Sequence, residues 1–297
     1  MKCQRERDHK GQSRLTGRSQ PARVERLFWL TGATLMGAAC LGDLSGVSRE
    51  WMQWVHVTEP ALQLTWAWLT VLGFGWPLLI FGVAHAGRNA VLISVFLKTA
   101  LIASLMAQVP KAVLQQPRPA AVLDISQLHV VGEPVMHTGS MPSGHALAVV
   151  AMLAAAWLGR AHRGLGSPPV IVALGWCAAL ALAVAVAWSR VAVGAHWPAD
   201  VWAGAGAGLW AATLAWRWER LSSWARWFES GGGQASVCVF LVVAAAAWAL
   251  TATGYPQALW LQWVLVAIAL TQAAVRVRDL KMRADAARAL QAPRVES

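Results

Sequence analysis

The chain has 297 residues, of which 57% are hydrophobic and only 13% charged, and its mean hydropathy is +0.46. An ordinary soluble domain carries about 25% charged residues, so this composition excludes one and implies a bilayer. A net charge of +11 and a pI near 10.7 raise nucleic acid as a partner, yet where the cations sit argues for membrane topology instead.

Crossing about 30 Å of hydrocarbon takes about 20 mostly apolar residues in a helix. Eight stretches qualify, roughly residues 27–46, 61–85, 90–110, 144–159, 169–188, 198–216, 236–254 and 257–275. The expected fold is therefore all-α, a polytopic transmembrane helix bundle. Before the first span lies a basic leader, 1–26, expected to be disordered and cytoplasmic. The first span is the weakest, being short and closely followed by Asp43. The alternative is a signal sequence, since Ala38-Ala39-Cys40 is similar to a lipoprotein cleavage site, but Gly37 stands where that site wants a larger aliphatic residue.

With the amino terminus inside, the leader, Arg88, Arg160, Arg163, Arg217, Arg220, Arg226 and the tail cations from Arg276 to Arg294 all fall on the cytoplasmic face. An even number of spans returns the tail there. The charge is then a topology signal with attraction to anionic lipid, and no nucleic-acid partner is expected. The cations left on the opposite face are Arg49, Lys111, Arg118 and Arg190. The four cysteines form no CxxC or Cys/His spacing. Tryptophans cluster near both ends of the spans, as an aromatic belt would place them.

The third span holds Lys98, an intramembrane charge. It lies 13 residues before Lys111, on nearly the opposite helix face at about 100° per residue. It is expected to snorkel toward the inner surface or to pair with another helix. At the other end of that span come Lys111 and the segment Pro117-Arg118-Pro119. Prolines on both sides force an extended backbone, so the guanidinium leaves from a stiff post. Such an arginine suits bidentate recognition of phosphate, with Lys111 adding a point charge.

A connection too polar to span follows, with Asp124, His129, Glu133 and His137 as candidates to line an entrance. Then Pro142-Ser143-Gly144-His145 precedes the fourth apolar run. Ser143 is placed to be an N-cap, and Gly144 lets a ligand approach the free N–H groups of the helix start, which is an anion site. His145 in the first turn can give a proton to something bound there. Read alone, Pro-Ser-Gly is turn and cap chemistry that leaves only the histidine unexplained.

The last polar cluster is Ser189-Arg190 with His196 and Asp200. Pro198 suits the first position of a helix, which puts His196 just outside its start and Asp200 in its first turn. The carboxylate can hold one imidazole nitrogen while the other faces outward, or it can simply cap backbone N–H groups. The ends of spans three to six that carry these residues share one face. Lys111, Arg118, Ser143, Gly144, His145, Arg190, His196 and Asp200 can therefore converge. Together they offer three cations and a helix start for a tetrahedral anion, a His–Asp pair and a second histidine.

In these residues the sequence resembles the type 2 phosphatidic acid phosphatase superfamily, membrane lipid phosphatases related in their site to vanadium haloperoxidases. The family pattern is Lys, six residues, Arg-Pro; then Pro-Ser-Gly-His; then Ser-Arg, five residues, His, three residues, Asp. Lys111 with Arg118-Pro119, Pro142 to His145, and Ser189-Arg190 with His196 and Asp200 match it in order and spacing. The resemblance covers roughly residues 61–216 and implies a six-span phosphatase core, taken here as 27–216. Residues 217–275 are then a linker and two extra transmembrane helices, and 276–297 a basic cytoplasmic tail. It implies His196 as the nucleophile forming a phosphohistidine, Asp200 as its orienting carboxylate and His145 as the proton donor. Lys111, Arg118, Ser143, Gly144 and Arg190 would hold the phosphate oxygens.

No metal or other cofactor is needed, because three cations already supply the positive charge. The expected protein is an integral membrane protein of the bacterial inner (plasma) membrane, with both termini cytoplasmic. It hydrolyses a lipid phosphate or pyrophosphate monoester at the periplasmic or extracellular face. Undecaprenyl pyrophosphate, phosphatidylglycerol phosphate, phosphatidic acid and lipid A phosphates are all candidate substrates. A phosphotransferase passing the phosphoryl group to another lipid, and a non-catalytic membrane protein, are the alternatives.

Overall fold

The structure is a computed structural model that describes residues 2–55, 60–124, 128, 130–165 and 168–291. Helices follow one another as α1 (Lys2–Leu44), α2 (Val47–Val55), α3 (Pro60–Leu72), α4 (Gly75–Ala86), α5 (Ala90–Leu114) and α6 (Pro119–Val122). They continue as α7 (Gly144–His162), α8 (Val170–Ala192), α9 (Pro198–Leu221), α10 (Trp224–Glu229), α11 (Gly231–Ala249) and α12 (Leu259–Gln291). No strand occurs among the described residues. The backbone is helical from Lys2 through Leu44 with no break at residue 26, where the sequence had suggested a boundary between leader and span.

By length and composition six helical stretches among the described residues can cross a membrane: Pro21–Leu44, Ala90–Val122, Gly144–His162, Val170–Ala192, Gly231–Ala249 and Pro256–Ala289. The expected span 61–85 is a broken one, its halves Leu62–Leu72 and Gly75–Ala86 bent by 63°. The cause is local. Gly73 lies so close to its neighbours that a Cβ there would stand 2.7 Å from Val186 Cγ1 and 2.8 Å from His145 Cδ2, and α4 restarts behind an uncapped Phe74.

The remaining expected span, 198–216, is α9, and it is the axis of the bundle rather than a lipid-facing helix. It packs on α1, α5, α7 and α8. Its surface is built from Ala203, Gly204, Gly206, Ala207, Gly208, Ala211, Ala212 and Ala215, all buried. A Cβ on Gly204, Gly206 or Gly208 would stand 2.5–2.7 Å from the carbonyl oxygens of Ser143, Gly32 and Leu147. Small residues let backbones approach where oil-on-oil contact gives no driving force, and they also lower the hydropathy of the helix. By contrast α8 turns Val170, Ile171, Leu174, Leu180 and Val184 outward.

Lys98 is fully buried and pairs with Glu219 of α9, which settles its two expected fates in favour of a partner helix. Ser222 and the rings of Trp218 and Trp224 complete its surroundings. At the same end of the bundle Glu25 of α1 meets Arg220 at 2.6 Å and Arg217 and His162 at 3.4 Å. Helix α11 packs on α12, and this pair leans on α3 and α4.

Candidate active site

At the opposite end of α9 the chain turns sharply between α8 and α9, with Gly194 at φ +76°. His196 N donates to Arg190 O at 3.1 Å, and Trp197 N donates to Asp200 Oδ2 at 2.9 Å. Asp200 thus caps α9 and holds the imidazole at once, since His196 Nδ1 lies 3.2 Å from the same Oδ2. Ser140 Oγ also donates to that oxygen. With Nδ1–H directed at the carboxylate, Nε2 carries the lone pair, and Arg118 Nη1 approaches it at 3.1 Å. Burial, then the positive charges of Arg118, Arg190 and Lys111, hold His196 well below the usual imidazole range, so it is neutral. Burial and the charges of Arg118 and Lys111 lower His137 in the same direction.

The cations reach this point from three elements. Helix α5 stops where Gln115 adopts a left-handed φ of +46°, its N–H returning to Lys111 O. The chain then passes through Arg118 to the short α6. Arg118 Nη1 also donates to Ala195 O at 3.0 Å, so the stiff post anticipated from its two prolines is braced against the α8–α9 turn. Gln116 O accepts from Gly139 N and Ser140 N, which folds the long connection back onto the end of α5. Lys111 Nζ lies beside Gly144, 3.7 Å from where a Cβ would stand. Arg190, in the last turn of α8, donates through Nη1 to Thr70 Oγ1 and to Tyr255 OH, the latter at 3.1 Å.

Ser143 occupies the N-cap position of α7, but its side chain makes no capping bond. Its backbone N–H donates to Asp200 O at 2.9 Å, which fixes the start of α7 against α9. His145 sits under Phe74, ring edge to face with centroids 4.5 Å apart.

These side chains surround a cavity of about 390 Å³. Lys111, Arg118, Gly144, His145, Arg190 and His196 line it directly, with Ser143 and Asp200 buried just behind. Several polar atoms here are buried with no partner in the protein: Arg118 Nε, Arg190 Nε, Ser143 Oγ and His145 Nε2. Buried donors are rarely left unpaired, and four around one cavity point to a ligand rich in acceptors. Of the connection's candidates, Glu133 and His137 line the cavity and Asp124 does not, while His129 lies outside the described residues. A second groove of about 290 Å³ leads away from Lys111, Gly144 and His145 between α4, α5 and α7, past Ala103, Ala151 and Met152.

Three residues of the site have no counterpart in the sequence reading. Ser140 stands between His137 and Pro142 with nothing to mark it, and Thr70 arrives only through the bend at Gly73. Tyr255 carried a signal, being the sole tyrosine in a chain with 19 tryptophans.

A helical membrane bundle whose buried cations and His–Asp pair converge on an acceptor-seeking cavity defines a membrane protein built to handle a compact anion. Residues 89–224, the stretch that carries Lys111, Arg118, His145, Arg190, His196 and Asp200, match the model of the PAP2 superfamily. In coarse terms the match supports a membrane lipid phosphatase. No curated protein matches the chain significantly. Among solved structures it is similar to the transmembrane PAP2 type phosphatidylglycerolphosphate phosphatase from Bacillus subtilis, with 21% identity and a TM-score of 0.48, covering 69% of this chain and 98% of that one.

Proposed function

We propose that the protein removes a phosphate from a lipid phosphate or pyrophosphate at the outer leaflet through a phosphohistidine on His196. The observation that carries this reading is the set of unpartnered donors, Arg118 Nε, Arg190 Nε and Ser143 Oγ, around the cavity that His196 and His145 share. The three equatorial oxygens of a phosphoryl group in transfer need such donors more than any covalent help.

In the first step the lone pair of His196 Nε2 attacks phosphorus and the ester P–O bond breaks. Asp200 stabilises the positive charge that develops on the ring through Nδ1. Protonated His145 gives its Nε2–H to the leaving oxygen and is left neutral. In the second step neutral His145 takes a proton from water, the hydroxide attacks phosphorus, and the P–N bond breaks. His196 is regenerated and inorganic phosphate leaves. The apolar groove between α4, α5 and α7 suits the hydrocarbon chain of the substrate, because it starts at Lys111 and His145 and is lined by alanines and Met152. With the basic leader, the Arg217/Arg220 end and the tail on the cytoplasmic side, the cavity faces the periplasm or the cell exterior.

The test is acid-free trapping of the enzyme with a radiolabelled lipid phosphate in detergent. The expected result is a base-stable, acid-labile label on wild-type protein that His196→Ala lacks, together with loss of phosphate release. Undiminished release by His196→Ala would overturn the assignment.

A further inference from the structure

The two C-terminal helices lie outside the matched stretch 89–224, yet the turn that joins them reaches the cavity. Ala252, Thr253, Gly254 and Tyr255 form one wall of it. The turn is held in place on both sides. Gly254 O accepts from Glu133 N at 3.1 Å, tying it to the connection before α7. Gly132, at φ +82°, approaches so closely that a Cβ there would stand 2.5 Å from Gly254 O and 2.8 Å from the Tyr255 ring. Below the turn, Gln262 Nε2 donates to Trp248 O and Thr251 O, and Trp248 packs on Phe74, which itself covers His145. Tyr255 is 5% exposed, and its hydroxyl accepts from Arg190 Nη1. A second hydroxyl, Thr70, takes the same Nη1, so the guanidinium is clamped at one corner while its buried Nε keeps no partner.

We propose that Tyr255 is a positioning residue for this enzyme: its hydroxyl sets the plane of the Arg190 guanidinium, and the turn carrying it is the wall against which the esterified group of the substrate rests. The two extra helices are then part of the phosphatase, delivering a residue that the six-helix core lacks. This rests on the reading of the cavity as a phosphate site. An arginine with five donors in a rigid fork gains most when its orientation is fixed before the anion arrives.

The experiment uses the full-length protein in detergent micelles. Tyr255→Phe keeps the ring and its packing and removes only the hydroxyl. It is expected to lower kcat about tenfold and to raise the orthovanadate inhibition constant by a similar factor, with the thermal midpoint unchanged. Because the chain has a single tyrosine, 3-fluorotyrosine labelling gives one ¹⁹F resonance. In a His196→Ala background, where no phosphoenzyme forms, that resonance should shift on titration with inorganic phosphate. Wild-type kcat, KM and vanadate inhibition in Tyr255→Phe, with a resonance that phosphate does not move, would overturn the proposal. If Arg118→Ala still abolishes vanadate inhibition in that case, the phosphate-site reading stands without Tyr255. If neither phosphate nor vanadate binds the wild-type protein, both fall together.

Discussion

The two ends of α9 carry the same kinds of side chain in opposite states. At one end Lys98 has Glu219, and Glu25 is shared by Arg217, Arg220 and His162. At the other, Lys111, Arg118 and Arg190 gather around a carboxylate, Asp200, whose bonded oxygen is already occupied by His196, Ser140 and the Trp197 N–H. Buried charge that is matched within the protein holds helices together. Buried charge left unmatched beside a cavity is held ready for a ligand, and the helix packing has to bear its cost.

Substitutions at the two ends should therefore fail in different ways. The largest effect on chemistry is expected for Asp200→Asn, which keeps the shape but removes the charge behind the imidazole: kcat for phosphate release should fall about 10³–10⁴-fold with little change in denaturation midpoint. Glu219→Gln is its mirror, leaving kcat within a few-fold while costing about 3–5 kcal/mol of stability through the uncompensated charge of Lys98. Equal loss of activity in both would erase the distinction. Next, Arg118→Ala should reduce kcat about 10²–10³-fold, as removal of one oxyanion donor does elsewhere. Arg217→Ala, whose side chain is half exposed, should alter stability by about 0–1 kcal/mol and activity not at all.

Smaller still is Ser143→Ala. Because Ser143 makes no capping bond, its loss should leave the thermal midpoint unchanged while lowering kcat/KM about tenfold, the worth of one hydrogen bond to a charged group. The finest test concerns charge state alone. A free imidazole with pKa near 6.5 is mostly protonated at pH 6. The depressed pKa of His196 predicts that its ring stays neutral there and protonates only at lower pH. Histidine-labelled NMR at pH 6, with the signal identified by its absence in His196→Gln, checks this.

Much of the site could be read from the sequence because its residues sit at fixed offsets around helix ends, where local rules apply. Pro198 starts α9, Asp200 falls in its first turn, and the prolines around Arg118 hold it extended. The helix count was legible for the same reason, apart from two elements that tertiary contacts decide. The break in the second span follows from the approach of Gly73 to Val186 and His145, and the low hydropathy of α9 from its burial on several sides. Lys98 left two fates open because its partner lies 121 residues away. Thr70 and Tyr255 escaped notice for the same reason: they meet Arg190 across 120 and 65 residues.

Gly204 lies eight residues beyond His196, carries no polar side-chain atom and does not line the cavity. Yet the space a methyl group would fill there is taken by the Ser143 carbonyl, on the residue whose N–H is bonded to Asp200. The distance between α7, which begins with Gly144 and His145, and α9, which carries Asp200, is thus set by an absent atom. A change as mild as glycine to alanine at this position would push the two halves of the site apart, so a steric constraint on the site falls on a residue with no chemistry of its own.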